Sequence, residues 1–292
     1  MKFSRIYHAV NFEPWLIMPE GHASISRLLA EKMQDHTVVK EMILQSPVIR
    51  SEDNQESVSI GGQVVPLPSP VMDENGIVTI PVEGIISRKV SGLERACGVT
   101  DVDVLSRWIA SYDANPACKG MFFSYDTPGG GVGGVADINA QIRGLSKPSV
   151  AYTNGTCGSA GYWMFCGSDK CFADATANLG SIGVYLPFVD QSKAFEAQGL
   201  KVDVIKNAEG IYKAAGMPGT SLTDDQRQNI QERVQALFNM FVASVKSSRP
   251  DVSEEALKGQ TFLGIQAVKA GLIDDVTNED YARFQLKKMI GK

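Results

Sequence analysis

Histidine is nearly missing from this sequence: the chain has three, His8, His22 and His36. Nothing after position 36 can serve as an imidazole base or ligand, so a Ser-His-Asp triad in the body of the chain is excluded. The three lack cysteine or acidic neighbours at ligand spacing and read as surface residues, so no metal and no cofactor is expected. Cysteine is scarce too. Its five copies (Cys97, Cys118, Cys157, Cys166, Cys171) are odd in number and form no Cys-x-x-Cys pair, which excludes a zinc ribbon or a disulfide framework. Reduced thiols in a cytoplasm fit that usage. Long apolar runs are also lacking: none approaches the roughly 18 to 20 residues of a membrane helix. The start of the chain, interrupted by Glu13 and Glu20, does not follow the positive-then-apolar pattern of a secretion leader. Neither a membrane nor an extracellular location is expected. Excess positive charge is lacking as well, and a net charge of −5 argues against a nucleic-acid partner.

What is present is an ordinary globular composition, 43% hydrophobic and 21% charged over 292 residues, enough for one large domain with an appendage. Residues 1–75 differ from the rest. They contain an apolar strip between prolines (Phe12 to Pro19), helical spacing from His22 to Gln34, and a polar stretch from Ser46 to Pro70 that reads as a linker. From Gly76 strands and helices alternate. Strands are expected at Gly76–Val82, Lys119–Tyr125, Pro148–Thr153, Ile182–Val189 and Val202–Ile205. Helices are expected at Val102–Ala114, Val135–Leu145, Ala160–Phe165 and Gln191–Gln198. A long helix then starts at Thr223, where Gln226 completes a capping box, and Pro250 stops it. The rhythm defines an α/β domain, 76–278, built on a parallel sheet, with residues 279–292 as a C-terminal tail.

Two glycine-rich segments carry candidate chemistry. Gly129-x-Gly131-x-x-Gly134 follows a strand and precedes a helix, as a dinucleotide fingerprint does, but Pro128 precedes it and no acid follows the next strand to hold a ribose. A tight turn for helix packing is a second reading. A third is that Gly129 and Gly130 present backbone N–H groups to an oxyanion. Further on, Thr156-Cys157-Gly158-Ser159-Ala160-Gly161-Tyr162 puts a serine among small residues at a strand-to-helix junction. Ser159 is either a reachable nucleophile at a helix N-terminus or a capping residue in a crowded turn. A nucleophile without histidine needs another base, and lysine is the recognised substitute. No Ser-x-x-Lys occurs; the candidate is Lys213, whose small, apolar and uncharged neighbours (Gly210 to Gly216) suit an amine that must be desolvated to accept a proton. Cys157 reads as a packing residue.

Together these segments resemble the S49 serine peptidases, relatives of signal peptide peptidase A, over about Gly76 to Val276. Asp126-Thr127-Pro128-Gly129-Gly130 is similar to the family's oxyanion segment and Cys157 to Tyr162 to its nucleophile segment. Gly180-Ser181-Ile182-Gly183-Val184 matches a family strand, Lys213 falls at the general-base position, and Gly264 to Asp274 resembles the closing segment. The resemblance implies a ClpP/crotonase-like core of repeated ββα units. It implies a Ser159–Lys213 dyad with Ser181 orienting the amine, and an oxyanion hole from Gly129 or Gly130 and Ala160. It also implies a homo-oligomer, in some members with the dyad completed between subunits. The first 80 residues resemble those of lambda-type phage head proteases, which implies protein substrates (scaffold, portal or other head proteins and the chain itself) and a place inside the prohead in the host cytoplasm. A soluble bacterial S49 peptidase of protein turnover, a crotonase-type acyl-CoA enzyme and a non-catalytic prohead protein are the competing readings.

Overall fold

The computed structural model describes residues 14–18, 48–50, 56–60 and 63–291. The three histidines and the expected helix from His22 to Gln34 lie outside them.

The strands are β1 (Trp15–Ile17), β2 (Val48–Arg50), β3 (Glu56–Ile60), β4 (Gln63–Pro66), β5 (Val71–Met72), β6 (Ile77–Ser87), β7 (Thr100–Asp101), β8 (Gly120–Gly131), β9 (Ser149–Thr153), β10 (Thr156–Gly158), β11 (Lys170–Ala173), β12 (Asn178–Gly180), β13 (Thr261–Leu263) and β14 (Asp275–Val276). The helices are α1 (Gly92–Ala96), α2 (Val102–Ala114), α3 (Val135–Arg143), α4 (Ala160–Phe165), α5 (Ser192–Ala197), α6 (Asp224–Ser248), α7 (Gly264–Lys269) and α8 (Glu279–Ile290). β8 is the spine. Its first half lies between β6 and β9, both parallel to it, and β9 continues to β11 and β14. Its second half pairs with β10, which leads to β12 and β13. The fold is thus α/β with a curled, mainly parallel sheet.

Alternation along the strands divides the core. Met121, Phe123, Tyr125 and Ala151 point into the main core, with α2, α3 and α4. Phe122, Val150 and Tyr152 point the other way and meet Ala282 and Leu286 of α8. Residues 279–290, read as a tail, therefore form a helix that covers the second face of the sheet. The stretch from Ser46 to Pro70, read as a linker, contains the small antiparallel sheet β2-β3-β4, in which Val58 is buried.

A bulge aims the end of β8. The β6–β8 register runs without a break from Ile77↔Gly120 to Glu83↔Asp126, then shifts and resumes at Ile85↔Gly129. Gly84 permits it, because its φ is +60° and a Cβ there would lie 2.0 Å from the Gly98 carbonyl oxygen. The Thr127 hydroxyl donates to the Gly84 carbonyl and pins the bulge. Residues 126–131, expected as a loop, are consequently strand.

Thr223 and Gln226 form the expected capping box of α6. The C-terminal half of that helix packs inward, with Phe241 stacked on Trp163 at 4.6 Å. Its N-terminal half keeps Ile230, Val234 and Leu237 only half-buried. The expected strand Val202–Ile205 does not form, and Ile182–Val189 is reduced to one bridge at Tyr185. The bridge from Tyr185 to Trp15 of β1 does not extend into a ladder, Val202–Ile205 pairs with no strand among the described residues, and Ile205 stays 95% exposed.

Candidate active site

Two parallel strands deliver two serines to one place. β10 and β12 pair Thr156↔Asn178, Cys157↔Leu179 and Gly158↔Gly180, so Ser159 and Ser181 leave the sheet side by side. Both have positive φ, 51° and 52°. Residues with a Cβ hold that conformation only where the surroundings impose it, most often at functional sites. Here the Ser159 N–H donates to the Gly180 carbonyl at 2.7 Å and the Ser181 N–H to the Gln260 carbonyl at 2.8 Å. The chain then turns sharply into α4.

The Ser159 side chain makes no capping hydrogen bond, which sets aside the capping reading of the sequence. Its Oγ donates instead to the Gly183 carbonyl at 3.4 Å, a long contact that leaves the hydroxyl weakly held. Gly161 lets α4 come close to β8: a Cβ there would lie 2.4 Å from Thr127 Cγ2. The Ala160 N–H opens α4 and has no carbonyl partner one turn back within the helix.

β8 approaches the elbow from the other side. A Cβ on Gly129, whose φ is +106°, would lie 3.0 Å from the Gly158 carbonyl, and the Gly129 N–H donates to Thr127 Oγ1 at 3.1 Å. A Cβ on Gly130 would lie 1.9 Å from the Ile86 carbonyl. Gly134, with φ +84°, ends the turn into α3 against Val102. Packing and backbone shape therefore account for Gly129, Gly130 and Gly134, as the tight-turn reading of the fingerprint requires.

The structure thus gathers Gly129, Ser159, Ala160 and Ser181. Lys213 is not part of that cluster in the single chain. It is exposed in a turn whose N–H donates to the Gly210 carbonyl at 2.9 Å, and its side chain makes no hydrogen bond or ion pair among the described residues. Around it Ile205, Ile211, Tyr212 and Met217 are exposed. Cys157 is buried inside the elbow, where burial, with Cys171 and Cys166 adding to it, pushes its thiol well up. It packs.

Behind the site, Asp274 ties the closing segment to the sheet. Its carboxylate accepts from the Cys171 N–H at 2.7 Å, from Arg249 at 2.9 Å and from Lys170 at 3.0 Å. Burial alone would raise its carboxyl, but the Arg249 charge and these donors outweigh burial and hold it below the usual range. Sequence reasoning placed Asp274 only by resemblance and missed Thr127 as the clamp on Gly129. It also missed the pairing of β1 with the end of β8, although Trp15 to Met18 stood out as apolar residues between prolines.

The site is thus a serine on a strained strand-to-helix elbow, beside the glycine-rich end of β8 and with no histidine among the described residues. The sequence profile of Peptidase family S49 matches residues 142–291, and the chain belongs to that family. Its relatives include capsid assembly protease C of Escherichia phage lambda, 31% identical over 70% of this chain and 47% of that protein. A putative signal peptide peptidase SppA of Enterococcus faecium is 32% identical over 59% of this chain and 51% of its own length. The chain spans about half the length of these curated relatives. Among solved structures, a ClpP1 mutant of Listeria monocytogenes aligns with a TM-score of 0.45 at 11% identity, covering 70% of this chain and 94% of that one.

Proposed function

We propose that this chain is a serine endopeptidase in which Ser159 attacks the peptide carbonyl and a neutral Lys213 takes its proton, later returning it to the leaving amine. The observation that carries the reading is the strained elbow at Ser159, whose hydroxyl is spared from capping and which follows Gly158, the residue that Gly129 approaches from β8. N–H groups of Ala160 and of Gly130, or of Gly129 if its N–H exchanges Thr127 Oγ1 for the substrate, bind the tetrahedral oxyanion, an interaction worth about 3 to 4 kcal/mol per donor. Ser181, in register with Ser159, orients the lysine amine.

The base comes from a neighbouring copy. A lysine works as a base once water is excluded from its amine, and Lys213 is exposed among exposed apolar side chains, with nothing covering it among the described residues. The half-buried stripe of α6 and the strandless segment around Ile205 support the same packing. The substrates are proteins. Similarity to a lambda capsid assembly protease over 70% of the chain favours maturation of a phage head, with cleavage of scaffold and head proteins inside the prohead. Among the described residues no helix is long and apolar enough to cross a membrane.

Co-expression with candidate head proteins, followed by intact-mass analysis, tests the reading. New fragments that vanish with Ser159→Ala are expected; identical fragments with that variant would overturn it.

A further inference from the structure

The chain already holds a strand in the place where an extended substrate would lie. β1 pairs antiparallel with the end of β8, Trp15↔Gly131, Leu16↔Gly130 and Ile17↔Gly129. On its other side Trp15 exchanges two hydrogen bonds with Tyr185, N–H to carbonyl at 2.8 Å and carbonyl from N–H at 3.2 Å. The segment is thus hydrogen-bonded on both edges, as an inserted strand is. The Met18 N–H donates to the Pro128 carbonyl at 2.9 Å. Beyond it the Met18 side chain lies over Gly158, its Sδ and Cγ 2.7 and 2.8 Å from where a Cβ on that glycine would stand. Gly158 directly precedes Ser159. Pro14 to Ile17 are buried, and Ser159 is 1% exposed.

We propose that Pro14–Met18 is an intramolecular pseudosubstrate, a strand that occupies the peptide cleft of its own chain and must leave before a substrate enters. The proposal rests on Ser159 being the nucleophile. A peptide reaching Ser159 in extended form needs the same backbone groups of Gly129 to Gly131, and one edge cannot pair with two strands. The tenure of β1 therefore sets access to the site. While it is in place, β1 also covers an edge that would otherwise be open to other chains. Its anchors include three ladder positions, one bridge, the Met18 hydrogen bond and the burial of Leu16 in the main core, and a competing strand must offset all of these to displace it.

The test uses the full chain carrying Ser159→Ala and a fluorescein-labelled peptide of residues 13–20 as the probe. Leu16→Pro removes an N–H from the middle of β1, and Met18→Ala empties the space over Gly158 while leaving the strand intact. Binding by anisotropy is expected to tighten at least tenfold in both variants relative to the Ser159→Ala parent. If Leu16→Pro alone loses its melting transition, Met18→Ala decides by the same criterion. Unchanged binding in folded variants would overturn the proposal. So would loss of the folding transition in both, which would make β1 a structural strand. Tighter binding without any peptide cleavage once Ser159 is restored would leave β1 as the occupant of a peptide-binding cleft and remove the peptidase reading, and with it the name pseudosubstrate.

Discussion

The contact between α4 and β8 can be tested by moving one methyl group across it. In Gly161→Ala the new Cβ would sit 2.4 Å from Thr127 Cγ2 and 3.8 Å from Cys157 Sγ. Thr127 cannot rotate away without loss, because its hydroxyl donates to the Gly84 carbonyl and accepts the Gly129 N–H. A 2.4 Å approach falls in the upper part of what overpacking costs, about 2 to 3 kcal/mol, and the gain from replacing a helical glycine by alanine offsets about 1 kcal/mol. The net expectation is a loss of about 1 to 2 kcal/mol. Thr127→Ser deletes Cγ2 but keeps both hydrogen bonds, and losing one buried methyl costs about 1 kcal/mol. Combined, the alanine methyl fills the space that the threonine methyl leaves. The double variant should then lie within about 1 kcal/mol of the parent, a coupling of about 1 to 2 kcal/mol in the cycle. Urea unfolding at fixed protein concentration, with unchanged m-values, measures it. Additivity within about 0.5 kcal/mol would refute the contact.

Asp274 carries a pH dependence of stability. Its folded carboxyl is held below its ordinary value of 3.8, so its contribution is present above that value and is lost as pH falls through the folded one. Asp274→Asn should cost about 2 to 3 kcal/mol at pH 7, discounted for partial exposure, and should flatten the acid limb of thermal melts recorded from pH 5 to 2. Thiol labelling of the native chain should show one fast cysteine, Cys97, because Cys118, Cys157, Cys166 and Cys171 are buried and burial raises Cys166 to about 12 and Cys171 to about 11. A second fast thiol would contradict the packing of the elbow. Lys213→Arg should be inactive in peptide cleavage although it keeps the charge, since a guanidinium does not give up its proton. Mixing Ser159→Ala with Lys213→Ala should restore part of the activity, and persistent inactivity after verified subunit exchange would place both residues in one subunit.

The sequence made legible whatever depends on neighbours along the chain. The capping box at Thr223 and Gln226, the helix from Ala160 to Phe165 and the strand at Ser149–Thr153 all carry local signals, and all three form. Elements that depend on distant partners were not legible. Residues 126–131 have the composition of a loop, yet β1, β6 and β10 pair with them and extend the strand. Val202–Ile205 has strand composition but no strand among the described residues to pair with. Ser159 could be singled out by its small neighbours, whereas the strain at its backbone arises from Gly180, 21 positions away, through one hydrogen bond. Lys213 was found by motif and spacing, which say nothing about what buries it.

A Ser159 nucleophile activated by Lys213 is the core of the proposed mechanism. Peptide-level mass spectrometry after treatment with a fluorophosphonate tests it most directly, applied to the unaltered chain, to Met18→Ala and to Lys213→Ala. An adduct on Ser159 is expected, at higher occupancy in Met18→Ala and absent in Lys213→Ala. An adduct on a different serine, or undiminished labelling of Ser159 without Lys213, would contradict the account.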